Sequence, residues 1–163
     1  MAEPQVPAGD SRVDDIDRRL LSLLRRDARL SARALGREIG MSAGAVSERV
    51  QRLEASGAIR GYHADVDPAA VGYAMRVLVG LQTEQGMSMD DTIHALLAAP
   101  EVIEVMVVSG QWDFVVLAQV RDHQHLRDLV VGGLWDVPGF RHSETMLVLE
   151  RREGDDAWMV AGG

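Results

Sequence analysis

The spacing of the apolar residues changes near Gly57, and this change limits the folds that the chain can adopt. Before it, apolar residues such as Val13, Ile16 and Leu20 recur every three or four positions, which is typical of amphipathic helices. After residue 73 they form short runs such as "VLVGL" and "VMVV", which are typical of buried strands. A chain of 163 residues is long enough for two small domains. The pattern therefore predicts an α+β protein in which a helical domain precedes a sheet domain.

The helical half carries the boundary signals of a helix-turn-helix. Ser31 is a good N-cap for the segment "ARALGREI", and Gly40 follows that segment as a C-terminal glycine does. Ser42 then caps a third helix, which ends before Gly57. Because only a tight turn joins the last two helices, we predict a helix-turn-helix domain over residues 12–58.

Ser42 also lies in the segment "GMSAG", which matches the G-x-S-x-G pattern of an esterase nucleophile. Such a serine needs a buried strand before it, whereas here a helix precedes it. The sequence also lacks the glycine-rich patterns that hold nucleotides. We therefore predict that Ser42 is a helix cap, and we predict no catalytic residue and no cofactor.

The second half follows the order βαββαβ, which is typical of a ferredoxin-like domain. Strands are predicted at 74–84, 102–109, 114–120 and 140–151, and helices at 89–99 and 123–135. The stretch "AIRGYHADVDP" between the two halves has β-like residues and ends in a proline. The predicted organisation is a disordered start (1–11), the helix-turn-helix domain (12–58), a linker strand and hinge (59–73), the ferredoxin-like domain (74–151) and a loose tail (152–163).

The net charge of −8 conceals an uneven distribution of charge. Ten arginines and four acidic residues give residues 18–60 a net charge of +6, whereas six arginines and fifteen acidic residues give residues 66–163 a net charge of −9. This asymmetry indicates a basic DNA-binding module attached to an acidic one. The alternative is a surface that is merely unevenly solvated.

The third helix supplies the candidate DNA contacts. Its apolar side turns inward, and the N-terminal residues of a recognition helix read base edges while flanking arginines hold phosphates. We predict base-edge contacts by Ser42, Ala43, Gly44 and Ser47, an adenine contact by Gln51, and phosphate contacts by Arg49 and Arg52. For Arg52 the alternative is an ion pair with Glu48, one helical turn away.

The histidines do not predict a metal site. His123 and His125 form an H-x-H pair, but they lie in a polar stretch at the start of a predicted helix. We therefore predict that both are exposed to solvent and that the chain holds no metal.

Taken together, the segments "DDIDRRLLSLLRRDARLS", "REIGMS", "SERVQRLEASGAIRGYHADVDPAAVG" and "VSGQWDFVV" resemble the Lrp/AsnC (feast/famine) family of transcription regulators. The resemblance runs from about Val13 to Glu150. It implies a homodimer that assembles further, commonly to an octamer, and an amino-acid effector site in the C-terminal domain near contacts between dimers. The chain departs from many relatives at Ala43 and Gly44, where little side chain is available to read bases. Specificity is therefore expected to depend in part on DNA shape, at an imperfect palindrome that matches the symmetry of the dimer.

The resemblance places the effector at the turn "SGQWDF". Gly110 and Asp113 match the family's G-x-x-D pattern, and an amino acid needs an anionic acceptor for its ammonium group. The alternative is that Asp113 only caps the turn. Trp112 is predicted either to form an apolar wall of the effector site or to pack against the other subunit of the dimer. The full set of candidates is Gly110, Gln111, Trp112, Asp113, Thr145 and Met146, of which the last two match the family's response region.

The leading prediction is a transcription regulator that binds double-stranded DNA and responds to a small molecule, in the cytoplasm and without a membrane span. One alternative is an architectural DNA-binding protein without an effector. Another is an enzyme, because proteins similar in both domains decarboxylate tetrapyrroles; that reaction needs histidine and arginine around a porphyrin. His63, His94 and His142 are scattered along this chain without a recognisable cluster.

Overall fold

The computed structural model of the protein describes residues 13–84, 86, 88–152 and 154. The chain divides into two compact units, one of which extends to Asp65 while the other spans Val66–Arg152. The predicted disordered start, residues 1–11, lies outside the described residues, as does nearly all of the predicted tail.

Three helices form the first unit. They are α1 (Asp15–Arg26), α2 (Ala32–Ile39) and α3 (Ala43–Ala55). The predicted caps are confirmed: the hydroxyl groups of Ser31 and Ser42 accept hydrogen bonds from backbone N–H groups three residues later, at 3.2 and 3.3 Å. Gly40 ends α2 with a left-handed φ of 76°. Leu20, Leu24, Leu35 and Val46 form the buried core that holds the three helices together.

The turn between α2 and α3 depends on a glycine that the sequence pattern did not single out. A Cβ atom on Gly36 would overlap the carbonyl oxygen of Met41, which belongs to the backbone and is not free to move aside. The backbone N–H of Met41 donates to the carbonyl oxygen of Gly36 at 2.9 Å. The absence of a side chain at Gly36 therefore lets the turn fold back onto α2 and set the start of α3.

The second unit is a four-stranded antiparallel sheet with helices on one face. Its strands are β1 (Met75–Thr83), β2 (Val102–Val107), β3 (Phe114–Val120) and β4 (Phe140–Leu147). Its helices are α4 (Met89–Leu97) and α5 (His123–Gly132), with short 3-10 helices at Pro68–Val71 and Leu134–Asp136. The strand order β2-β3-β1-β4 is that of a split βαβ sheet, which confirms the predicted ferredoxin-like fold.

The helices cover one face of this sheet, and the other face is partly exposed. Val77, Val79 and Leu81 of β1 are at most 1% exposed and pack with the helices. The alternating residues point to the opposite face, where Leu78 pairs with Leu117 of β3 and with Met146 of β4. Leu78 and Leu117 are only half-buried, and Met146 is 37% exposed. We refer to this second surface as the open face.

The predicted strand in the linker is wrong for the single chain. Residues 60–67 form no strand, and a 3-10 helix at Pro68–Val71 follows them. A strand exists only when another backbone pairs with it, and no other strand pairs with this segment among the described residues. Its β-like side chains remain exposed, with Tyr62 at 48% and Val66 at 58%.

Candidate DNA-reading surface and effector turn

The first turn of α3 presents small side chains to solvent. Ala43 and Gly44 are exposed, and a Cβ atom on Gly44 would meet nothing within 4 Å. Gln51 is exposed two turns further on, whereas Ser47 is half-buried. Val46 and Leu53 anchor the opposite side of the helix, at 0% and 3% exposure. The candidate base-reading residues therefore share one accessible surface of α3.

The two arginines of α3 are held by carboxylates of α1. Arg49 Nη1 lies 2.6 Å from Asp14 Oδ2 and 2.8 Å from Asp17 Oδ1. Arg52 Nη2 donates to both oxygens of Asp17, at 3.0 and 2.7 Å. The Asp17 side chain is 1% exposed, while those of Arg49 and Arg52 are 22% and 51% exposed. The alternative prediction for Arg52 named Glu48, but the carboxylate that Arg52 contacts is Asp17.

The carboxylates of Asp14 and Asp17 also cap the N-terminus of α1. The backbone N–H of Asp17 donates to Asp14 Oδ1 at 2.8 Å, and the backbone N–H of Asp14 donates to Asp17 Oδ2 at 3.2 Å. The bond from the Asp17 N–H, together with the guanidinium of Arg49, holds the pKa of the Asp14 carboxyl below its usual value. The same pairing raises the pKa of Arg49. Arg49 and Arg52 are therefore both paired with the buried carboxylate of Asp17, and Arg49 is also paired with the exposed carboxylate of Asp14.

The turn that was predicted to hold the effector, residues 109–114, follows β2, leads into β3 and contacts β1. We refer to it as the effector turn. The backbone N–H of Val108 donates to the carbonyl oxygen of Asp113 at 3.0 Å, which encloses residues 109–112. Gly110 adopts a φ of 126°, which side chains disfavour. Asp113 Oδ2 accepts from the backbone N–H of Thr83 at 2.8 Å and lies 3.4 Å from its hydroxyl. The carboxylate that was predicted to receive an ammonium group thus already fastens the turn to β1.

Trp112 covers a glycine of the sheet. A Cβ atom on Gly80 would lie 2.6–2.8 Å from three atoms of the indole, so the ring rests directly on the β1 backbone. The indole also stacks on His142 of β4, with 5.6 Å between centroids and 22° between planes. Glu144 is the residue of β4 that pairs with Gly80. The structure therefore stacks Trp112 on His142 and places it over Gly80, whose partner on β4 is Glu144. The sequence prediction of the effector site included neither His142 nor Glu144.

The two response-region candidates lie on opposite faces of β4. Thr145 pairs with Val79, whose side chain is on the helix-covered face, whereas Met146 pairs with Leu78 on the open face. Strand alternation separates Thr145 from the face on which Trp112 lies. Of these two residues, only Met146 shares that face with the effector turn.

His123 is exposed as predicted, whereas the prediction is wrong for His125. His125 is not fully exposed: its Nε2 atom lies 2.7 Å from Glu101 Oε1, and its side chain is 12% exposed. Its Nδ1 atom accepts from the backbone N–H of Arg121 at 3.2 Å. Among the described residues, no group of three or more histidine, aspartate or glutamate side chains is placed to hold a metal ion.

Comparisons with known proteins agree with both units. The AsnC-type helix-turn-helix domain matches residues 13–54, and the Lrp/AsnC ligand binding domain matches residues 76–157. The chain belongs to the Lrp/AsnC family. One similar protein is the HTH-type transcriptional regulator AldR of Mycolicibacterium smegmatis. It is 35% identical to this chain, and the match covers 87% of this chain and 84% of AldR. Another is the HTH-type transcriptional regulator Ptr1 of Methanocaldococcus jannaschii. It is 31% identical, and the match covers 84% of this chain and 92% of Ptr1.

Solved structures of the family superpose on this chain. A feast or famine regulatory protein from M. tuberculosis, complexed with L-methionine, is 30% identical and covers 89% of this chain and 97% of its own, with a TM-score of 0.80. AsnC of E. coli is 22% identical with a TM-score of 0.80, over 88% of this chain and 96% of its own, and supports the fold alone. The names of the relatives confirm a transcriptional regulator rather than an enzyme. Within the described ranges, no helix has the length and apolarity that crossing a membrane requires.

Proposed function

We propose that this Lrp/AsnC regulator reads an imperfect palindrome with α3 and changes its DNA binding when an amino acid binds at the effector turn. The observation that carries the proposal is the exposed side of α3, where Ala43, Gly44 and Gln51 are accessible while Val46 and Leu53 anchor the helix. An accessible helix of this kind fits the major groove. We propose a cytoplasmic location, because the sequence contains no cysteine and therefore has no disulfide that would need an oxidising compartment.

Within this surface Gln51 is the side chain best suited to base recognition. It is exposed, and a glutamine amide pairs with the edge of adenine through two hydrogen bonds. Ala43 and Gly44 leave room for close approach of the DNA backbone but offer no polar side chain. We propose that Ser42, whose hydroxyl caps α3, and the half-buried Ser47 contribute mainly to the fit of the helix in the groove.

Replacement of Gln51 with alanine is expected to relax the sequence preference at one base pair in each half-site. The loss of a bidentate contact corresponds to about 1–3 kcal/mol of discrimination, or roughly 5- to 150-fold in relative affinity. Selection of duplexes from a random library, followed by titration of the selected site and its single-base variants, measures this preference. The matched control is Gln124→Ala, which removes an exposed glutamine from α5. If Gln51→Ala and Gln124→Ala show the same base preference at every position of the site, Gln51 does not read bases.

The effector proposal rests on the turn between β2 and β3 and on the edge of β4 beside it. Trp112 and His142 offer apolar ring surface, and Glu144 offers an exposed carboxylate next to Gly80. Gly110 and Gln111 supply backbone groups, and the carbonyl oxygen of Gln111 already accepts from Gln82 Nε2 at 2.7 Å. The family member complexed with L-methionine supports an amino acid as the ligand class. Asp113 and Met146 complete the proposed site, Asp113 mainly by holding the turn.

Replacement of Trp112 with alanine is expected to weaken amino-acid binding by about tenfold or more, because the ligand loses an aromatic wall worth roughly 1.4 kcal/mol. Calorimetric titration with a panel of amino acids, repeated in the presence of the selected DNA, gives this affinity. Trp135→Ala is the matched control, because Trp135 contacts Ser143 from the other face of the sheet. Equal affinities in the two variants would contradict the site. If no amino acid alters DNA binding by the unaltered protein, the effector proposal fails. The protein is then better described as an architectural DNA-binding protein without an effector.

The open face supports a homodimer. Leu78, Leu117 and Met146 form an apolar row across three strands, and Met106 pairs with Val115 in the next row. Polar residues follow at the end of the sheet, where Arg76 pairs with Gln119. An apolar centre with a polar margin is typical of a protein interface. We propose that a second copy covers this face and that dimers assemble further.

A further inference from the structure

Asp17 places a carboxylate where an apolar side chain would be expected. It precedes Leu20 by three residues and Leu24 by seven, so it lies on the inner stripe of α1, and it is 1% exposed. Burial of a carboxylate is costly unless hydrogen bonds and opposite charges compensate it. Arg49 and Arg52 provide both kinds of compensation, and both belong to α3.

The spacing of these two arginines restrains the orientation of α3. They are three residues apart, which places them on one side of the helix and about 4.5 Å apart along its axis. A helix held at one point is free to turn about that point, whereas two anchors at different heights oppose both rotation and tilt. Both anchors meet the same buried carboxylate, and Arg49 has a further contact with Asp14.

We infer that Asp17 is a positioning residue for DNA reading, which fixes the orientation of α3 and keeps Arg52 paired beside the reading surface. This inference rests on the proposed assignment of α3 as the reading helix. The pairing also has an electrostatic consequence. An unpaired arginine attracts the phosphates of any sequence equally, so its neutralisation by Asp17 reduces sequence-independent binding relative to specific binding.

The variant Asp17→Asn tests this inference in the full-length protein, because it preserves the shape of the side chain and removes its charge. Within the described part of the chain, Arg52 donates its side-chain hydrogen bonds to Asp17 alone, so this variant frees Arg52 for a phosphate. The plot of log affinity against log salt concentration is expected to become steeper by ~0.9 for each phosphate gained per helix. The ratio of affinities for the selected site and an unrelated duplex is expected to fall.

Asp15→Asn is the matched control. Asp15 is exposed in the same first turn of α1, so its replacement removes the same charge from the same helix end. Its salt slope and affinity ratio are expected to equal those of the unaltered protein. A residue that only stabilised the fold would lower the active fraction of Asp17→Asn without making the salt slope steeper.

Three results would separate the possible failures. A folded Asp17→Asn protein whose slope and ratio equal those of Asp15→Asn overturns the positioning role of Asp17. If Gln51→Ala also leaves the sequence preference unchanged, the assignment of α3 itself fails. If Asp17→Asn does not fold, the variant Arg52→Gln removes the ion pair between Arg52 and Asp17 by changing the half-exposed arginine instead of the buried carboxylate. An unchanged affinity ratio in that variant overturns the inference, and a lower ratio without a steeper slope supports it.

Discussion

Replacement of both Arg49 and Arg52 with alanine is expected to lower the free energy of unfolding of the helical unit by about 3–5 kcal/mol, the usual cost of leaving a buried charge without its partner. Among the described residues, Arg49 and Arg52 are the cations that pair with Asp17, whose side chain is 1% exposed. Their removal leaves that carboxylate without an opposite charge between α1 and α3. Phosphate contacts alone would predict no change in the stability of the free protein.

Hydrogen exchange of the backbone amides of α1, α2 and α3 measures this loss, because it reports on the helical unit while the full chain is intact. The matched control is the double variant Arg33→Ala and Arg37→Ala, which removes two charges of the same sign from α2. Surface substitutions of this kind usually change stability by no more than about 0.5 kcal/mol. Equal protection in the two double variants would show that the pairs with Asp17 contribute little.

Replacement of Leu117 with glutamate is expected to raise the dissociation constant for self-association by more than about 30-fold, which corresponds to at least ~2 kcal/mol for a central interface position. Leu117 lies in the middle of the open face, between Glu104 of β2 and Leu78 of β1. If a second copy covers this face, the new carboxylate must be buried without a partner. Sedimentation velocity over a range of concentrations measures the change.

The control for this experiment is Val131→Glu. Val131 lies on α5 and is 44% exposed, so the variant introduces the same charge on the helix-covered side of the unit. It is expected to sediment like the unaltered protein. If Leu117→Glu also retains its assembly at micromolar concentration, the open face is not the interface. DNA affinity should fall together with assembly, because one chain contacts only one half of a palindrome.

Local chemistry accounts for the features that were predictable from the sequence. Ser31, Ser42 and Gly40 set helix boundaries through hydrogen bonds and backbone angles that involve residues only a few positions away. The strand β3 occupies its predicted range, 114–120, because a run of apolar and β-branched residues bounded by turns permits little else. The fold class follows from the change between these two periodicities.

The linker shows where this reasoning reaches its limit. Its residues favour extended backbone, yet residues 60–67 form no strand, because pairing depends on a neighbour and not on the segment itself. Some other elements end at residues that differ from the predicted ones, because tertiary packing also decides where an element ends. The helix predicted at 123–135 ends at Gly132 and continues as a 3-10 turn that packs Leu134 into the core.

The sequence by itself determined the caps, the order of the elements and the apolar stripes, because each depends on residues that are near one another in the chain. Only the tertiary structure decided the partners of Arg49 and Arg52, which lie 32–35 residues from Asp17 in the chain. It also decided that Trp112 rests on Gly80 and stacks on His142. A charge or a ring has many complementary partners along a chain, and the packing of α1 on α3 and of the turn on the sheet selects among them.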